Sequence, residues 1–453
     1  MTNKPNKRKA VDTLIHARWV IPVDNKQSIL ENHSIAVAGG KILAILDTEL
    51  AREKYCSDDT RELSSHALIP GLVNAHAHSA MSLMRGLADD RPLMEWLENH
   101  IWPAEGQCVN EQFVTDGTQL AIAEMLKSGT TTFADMYFFP NIVAQQARRA
   151  GMRASVGLIA LDFPTVWAQN ADEYISKGVA LHDEYKNDPL ISTMFAPHAP
   201  YTVSDAPMQK IISLAAELEI PIQMHVHETA GEVAMAEEQS GKRPLERLYD
   251  MGMLCPDFMA VHMTQLSDRE IKQLKQSKTH VVHCPESNMK LASGICPTAK
   301  LIKAGINVAL GTDGAASNND LDMLGEMRSA ALLAKVSTGD ATALDANTVL
   351  RMATLNGAKA LGIDAVTGSL KKGKAADITA IDLNHISTQP VYCPVSQIVY
   401  AASREQVSDV WVNGKALLKN KQLTGFNEQH LLQGAQQWQE KIATSQSGTE
   451  KEA

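Results

Sequence analysis

Paired cysteines are absent from this chain of 453 residues: Cys56, Cys108, Cys255, Cys284, Cys296 and Cys393 stand singly, with no Cys-x-x-Cys spacing. That argues against a disulfide framework and a zinc ribbon, and it fits a reducing, cytoplasmic compartment. Long apolar runs are missing as well, since none approaches the roughly 18 residues that a spanning helix needs. The basic start, Met1 to Lys9, meets Asp12 before any apolar segment develops, so no secretory signal is expected. Positive charge is in deficit too. A formal net charge of -10 disfavours a nucleic-acid or anionic-membrane partner and leaves a small-molecule substrate as the expected one.

What is present is enough apolar material, 44% of residues, for one large domain and a smaller one. Ser34 to Ala38 and Lys41 to Leu46 flank Gly39-Gly40, a two-residue hairpin signal. Near the other end, Ala376 to Ile381 reads as a strand, and Asn413-Gly414 joins Val410–Val412 to Ala416–Leu418. Neither block has apolar surface enough to stand alone. Residues 1–67 and 366–425 are therefore expected to form one composite β-sandwich domain, with the middle of the chain inserted between its halves.

Across residues 68–365, short apolar strands alternate with helical segments, the pattern of parallel βα units. Eight strands are expected: Ile69 to His76, Thr130 to Met136, Arg153 to Leu161, Ile191 to Pro197, Pro221 to His225, Phe258 to His262, Thr279 to His283, and Asn307 to Gly311. The fold class is thus α/β, a (β/α)8 TIM-like barrel inserted into the small β-sandwich. Residues 426–453 read as a C-terminal helix with a frayed tail from Thr444.

Barrel enzymes keep their chemistry at the C-terminal strand ends, and six of these eight strands end in ionisable groups. Strand one closes on His76 and His78, which share a face because side chains two apart on a strand point the same way. Later strands end in His198, in His225-Val226-His227-Glu228, in His262, in His283 and in Asp313. An isolated His-x-His is more often structural, but six such ends on one barrel face are expensive to bury without a purpose. The residues therefore point to one divalent metal, Zn2+ first and Fe2+ or Mn2+ next, on His76, His78, one histidine of strand five and Asp313. Such a metal brings the pKa of its water to about 7. Glu228, His262 and Asp313 are then suited to moving protons. Spacing does not choose between His225 and His227. His283 reads as a turn or pocket histidine, Cys284 as packing, and His66, His100, His182 and His385 as surface residues.

Taken together, the motifs Pro70 to His78, Trp102 to Glu105, Ala196 to Tyr201, His225 to Thr229, His283 to Asn288 and Gly311 to Asn319 resemble the amidohydrolase superfamily. Within it, the chain looks like the branch of triazine chlorohydrolases, guanine deaminases and 5-methylthioadenosine/S-adenosylhomocysteine deaminases. The resemblance implies a mononuclear site with His76, His78, His225 and Asp313 as ligands. It implies that Glu228 shuttles a proton to the ring nitrogen, that His262 orients the water, that Glu105 takes ribose hydroxyls and that His198 lies against the substrate. Strand four, Ile191 to Pro197, has no lysine, so the bridging carboxylated lysine of binuclear relatives is not expected. Met81 to Leu87 is expected to cover the site. The loop Asp162 to Asn170 lacks the arginine that some relatives carry, which favours 5′-methylthioadenosine over S-adenosylhomocysteine. The implied activity is hydrolytic deamination of an adenine nucleoside thioether, with a homodimer as the expected assembly. The alternatives are guanine, 8-oxoguanine, a pterin or a triazine as substrate, or a non-catalytic barrel scaffold.

Overall fold

The computed structural model describes residues 8–449. Two eight-stranded sheets carry the architecture. One is parallel throughout and follows chain order: Leu72–Ala77, Thr130–Asp135, Arg153–Ala160, Ile191–Pro197, Ile222–Val226, Phe258–His262, His280–His283 and Val308–Leu310. Nearly every residue in these strands is buried, because the barrel interior covers one face and the surrounding helices cover the other.

The helices between strands are delimited by local chemistry. Asn110 caps Glu111–Lys127 by accepting from the amides of Gln112 and Phe113, and Ser267 with Glu270 forms a capping box at Asp268–Ser277. Gly151, left-handed at φ +79°, ends Pro140–Ala150.

Side-chain and backbone bonds complete the contact of the first strand with the eighth. Asn74 Oδ1 accepts from the Thr312 amide at 3.0 Å, Asn74 Nδ2 donates to Thr312 Oγ1 at 2.7 Å, and the Asp313 amide donates to the His76 carbonyl at 3.0 Å. Gly311 is required at this seam, since a Cβ there would sit 2.8 Å from the His76 nitrogen.

The second sheet draws strands from both ends of the chain. Its order is Gln422–Leu423, Lys415–Lys419, Val407–Val412, Ile378–Asp382, Asp59–Pro70, Thr13–Val20, Leu30–Ala38 and Lys41–Asp47. Ile15, Ile35, Leu63, Leu68, Ile378 and Trp411 form its core. The Gly39-Gly40 and Asn413-Gly414 turns have positive φ and touch each other, and the Ala376 amide donates to the Gly40 carbonyl at 2.9 Å.

Two expectations from the sequence are corrected by these elements. The apolar run beginning at Leu68 does not belong wholly to the barrel. Leu68, Ile69 and Pro70 pair with Ala380, Thr379 and Ile378, and the barrel strand starts at Leu72. The break falls at Gly71, where a Cβ would lie 2.1 Å from Thr131, so the chain crosses between sheets at its tightest point. At the other end the helix runs Glu428–Thr449, through the segment expected to fray from Thr444. It is anchored by Trp438, whose Nε1 donates to Asp116 at 2.8 Å and whose ring meets Phe113 edge-on. Residues 1–7, where the secretory-signal reading fell, and 450–453 lie outside the described residues. Among the described residues no helix is long and apolar enough to cross a membrane.

Barrel and second sheet are joined by a buried ion pair. Arg153 Nε lies 3.0 Å from Asp377, and Arg153 also donates to the Pro189 carbonyl at 2.8 Å. Removing one partner strands a buried charge. Arg153→Met is expected to lower stability by about 3–5 kcal/mol, read from the urea unfolding midpoint.

Candidate active site

Three imidazoles and a carboxylate meet where the first, fifth and eighth barrel strands end. One donor atom from each of His76, His78, His225 and Asp313 lies within 4.8 Å of the other three. His225 Nε2 is 3.1 Å from His76 Nε2, while Asp313 Oδ1 is 3.1 Å from His78 Nε2 and 3.5 Å from His76 Nε2.

The far nitrogen of each ring decides which atom faces the cluster. His225 Nδ1 donates to the His198 carbonyl at 2.9 Å, and His78 Nδ1 donates to the Met136 carbonyl. His76 Nδ1 is 2.7 Å from Gln223 Oε1, and Gln223 Nε2 donates to the Ala75 carbonyl at 2.8 Å, so Oε1 is the acceptor. Each Nδ1 therefore carries the proton and each Nε2 turns a lone pair inward. Asp313 Oδ2 accepts from Ser287 Oγ at 2.6 Å and Ser317 Oγ at 2.8 Å, which fixes its plane. Three imidazole nitrogens and a carboxylate oxygen converge on one point. They suit a divalent cation, with outer partners already orienting each ligand.

Burial lowers His76 and, further, His225, keeping both in the neutral form that a ligand requires. Burial also opposes charge on His78, but its hydrogen bond to Asp313 prevails and raises it to about 9, so a proton on His78 Nε2 is the competitor that a metal cation displaces. Asp313, despite burial, is held well below the usual carboxylate range by His76 and His78.

Backbone geometry separates His225 from His227. The fifth strand ends at Val226, and His227 turns out of line with φ +55°. Its Nε2 accepts from the Leu245 amide at 3.1 Å and lies 3.6 Å from Glu270. Glu228 turns back toward the cluster, 3.7 Å from His262 Nε2, and His262 Nδ1 is 2.9 Å from Asn288 Oδ1. Glu232 grips the backbone behind Glu228, accepting from the His227 amide at 3.1 Å and the Glu228 amide at 2.7 Å. Burial first and Asp313 second raise the Glu228 carboxyl to about 8.

A cavity of about 490 Å³ opens over this centre. His78, His198, His225, Glu228, His262 and Asp313 line it from the strand ends, and Glu105 lines it from the helix Trp102–Cys108. Glu105 is raised to about 7 by burial, against a 2.7 Å hydrogen bond from Tyr137. His198, lowered to about 3 by burial and then by His78, hydrogen-bonds Thr202 at 3.1 Å. Trp96, Trp102, Phe163 and Val166 supply apolar wall, and among the described residues no lysine or arginine lines the cavity.

Some expectations change here. Of the segment Met81 to Leu87, only Met81 lines this cavity; Ser79–Met84 is a 3-10 turn packed on the helix Glu111–Lys127, and Arg85 pairs with Glu124. His283 is fully buried and does not line the cavity. Cys284 is buried packing, its thiol pushed up by burial. His385 is exposed, whereas His66, His100 and His182 are half-buried.

Sequence reasoning missed Asp135, Tyr137, Gln223, Ser287, Asn288, Ser317 and Glu232. A signal existed for two of them. Gln223 is a lone amide in an apolar strand, and Asp135 makes the second strand another that ends in an ionisable group, accepting from the Ser79 amide at 2.6 Å.

Residues 67–417 match the Amidohydrolase family. A protein of Teredinibacter turnerae named 5-methylthioadenosine/S-adenosylhomocysteine deaminase is 49% identical over 432 residues, 95% of this chain and 98% of that one. A 5′-deoxyadenosine deaminase of Methanosarcina acetivorans is 41% identical, over 94% of this chain and 96% of its own. Among solved structures, an adenosine deaminase from Xanthomonas campestris with bound zinc has a TM-score of 0.95 at 49% identity, covering 96% of this chain and 100% of that one. An atrazine chlorohydrolase from Arthrobacter aurescens, at 22% identity, shares the fold with a TM-score of 0.88 over 94% and 99% of the two chains.

Gln223 touches no solvent, and its side chain sets the His76 tautomer. Gln223→Leu is expected to weaken metal affinity by about 10–100-fold, measured by competition with a chelator, while the far-ultraviolet circular dichroism stays that of the parent.

Proposed function

The chain belongs to the amidohydrolase family, and from that premise we propose that it is a metal-dependent hydrolytic deaminase of adenine nucleosides, with 5′-methylthioadenosine as its substrate. The observation that carries this reading is a single cavity lined by two of the proposed histidine ligands, His78 and His225, and by Asp313, Glu228, His262 and Glu105. The names of the Teredinibacter and Methanosarcina relatives support it.

A divalent ion on His76, His78, His225 and Asp313, zinc by preference, would bring the pKa of a water down to about 7. The remaining work falls to the side chains. Glu228, raised to about 8, carries a proton at neutral pH and delivers it to N1 of the purine as water adds to C6. His262, its Nδ1 held by Asn288, presents Nε2 to orient that water. Asp313 accepts the water proton and passes it to the departing amine, which leaves as ammonia. Glu105 accepts from the ribose hydroxyls, and His198 lies against the substrate.

Charge within the cavity argues for the thioether. The loop after the third strand contributes Phe163, Pro164, Thr165 and Val166, and the ionisable lining residues are acids and histidines, with tyrosines beside them. The carboxylate of a homocysteine tail would find no cation there. The scattered cysteines, none in a Cys-x-x-Cys spacing, support a cytoplasmic location.

Glu228→Gln is expected to retain its metal and lose about 10²–10⁴-fold in kcat; a variant with near-parental turnover overturns the proton assignment. An ultraviolet screen of 5′-methylthioadenosine, adenosine, S-adenosylhomocysteine, guanine and 8-oxoguanine tests the substrate. Methylthioadenosine is expected to exceed S-adenosylhomocysteine by roughly tenfold or more in kcat/KM, equivalent to about 1.4 kcal/mol. Turnover of guanine or 8-oxoguanine in place of the nucleosides moves the enzyme to a free-base substrate.

A further inference from the structure

We propose that Tyr137 is a positioning residue for the sugar end of the substrate, holding one oxygen of Glu105 so that the other is presented to a vicinal diol. The proposal rests on the reading of Glu105 as the ribose contact.

Tyr137 follows directly on Met136, whose carbonyl accepts from His78 Nδ1. One short segment after the second strand therefore touches a proposed metal ligand with its backbone and Glu105 with its next side chain. The ring is buried, 4% exposed, and packs at 5.1 Å against Phe138. Its hydroxyl donates to Glu105 Oε1 at 2.7 Å, the one hydrogen bond made by that carboxylate among the described residues. A carboxylate without this tether could rotate about its terminal bond and offer either oxygen in many directions. Tied at Oε1, it offers Oε2 in one.

The tyrosine also acts on charge. Burial pushes the Glu105 carboxyl up to about 7, and the Tyr137 hydroxyl pulls it back down. Without that hydroxyl a larger share of the carboxyl is protonated, and a protonated oxygen is a donor where the diol needs an acceptor. Tyr137, which lines the same cavity, thus sets both the direction and the ionisation of the group that reads ribose.

The test is steady-state kinetics of Tyr137→Phe, Glu105→Gln and the double variant, on 5′-methylthioadenosine and its 2′-deoxy analogue, with metal content measured for each. Tyr137→Phe is expected to raise KM for the ribonucleoside about tenfold, as for a lost hydrogen bond to a charged group, with kcat within roughly threefold of the parent. The 2′-deoxy analogue, with one hydroxyl to place, is expected to shift less. In the Glu105→Gln background the same change is expected to add less than about twofold, because its effect runs through the carboxylate.

If Glu105→Gln raises the ribonucleoside KM and Tyr137→Phe does not, Tyr137 has no positioning role and the ribose assignment stands. Equal losses on both substrates, or a fall in kcat at constant KM, likewise overturn the positioning role. If Glu105→Gln leaves the ribonucleoside KM unchanged, the ribose assignment itself fails and this proposal with it.

Discussion

Imidazole lone pairs repel when they are pointed at one another, and this fold points three of them at a single place. His76 Nε2 and His225 Nε2 stand 3.1 Å apart with no proton between them, because each Nδ1 is already committed as a donor. A cation at that point relieves the arrangement, and the outer hydrogen bonds and the barrel seam act as clamps on an otherwise unfavourable geometry. Asp313 adds the compensating negative charge, and its two serine partners keep it from rotating away.

The clamps lie in the barrel and are braced from outside it. Asn74 bridges to Thr312 and so fixes the spacing between two proposed ligands that arise on different strands. Beneath the same strands, the Gly71 amide donates to the Asp377 carbonyl at 3.0 Å and Thr379 Oγ1 donates to the Gly129 carbonyl at 2.6 Å. Asp377 also takes Arg153 through its side chain. The second sheet therefore contacts the starts of the first three barrel strands, at the end away from the chemistry. There a small sheet can stiffen the barrel without crowding the cavity.

Residues that act from strand ends were legible in the sequence, because a histidine or aspartate closing an apolar run has few structural excuses. His76, His78 and Asp313 announced themselves in this way. The choice between His225 and His227 did not, since a period of two is blind to the left-handed residue that ends the strand. Glu105 lies on a helix preceded by a π-helical turn, Leu97–Ile101, and nothing in its spacing directs it to the site; the family resemblance alone pointed there. Tyr137, Asn288 and Glu232 were invisible for a related reason. Tyr137 and Asn288 matter through one contact each with a residue distant in sequence, Glu232 through its carboxylate on two nearby backbone amides, and pattern reading registers faces rather than contacts. The strand that crosses from one sheet to the other at Gly71 kept a continuous apolar pattern, so the boundary was marked by a steric limit alone.

The bond between Asn74 and Thr312 spans 238 residues of chain. A nascent polypeptide growing at about 5–20 residues per second exposes the first pair of histidines roughly 10–50 s before the aspartate that completes their set. During that interval no subset of the emerging chain can hold an ion in the final geometry, and long-range closure of this kind is slow. The ion-holding set is therefore whole only once Asp313 has emerged and the first strand has met the eighth.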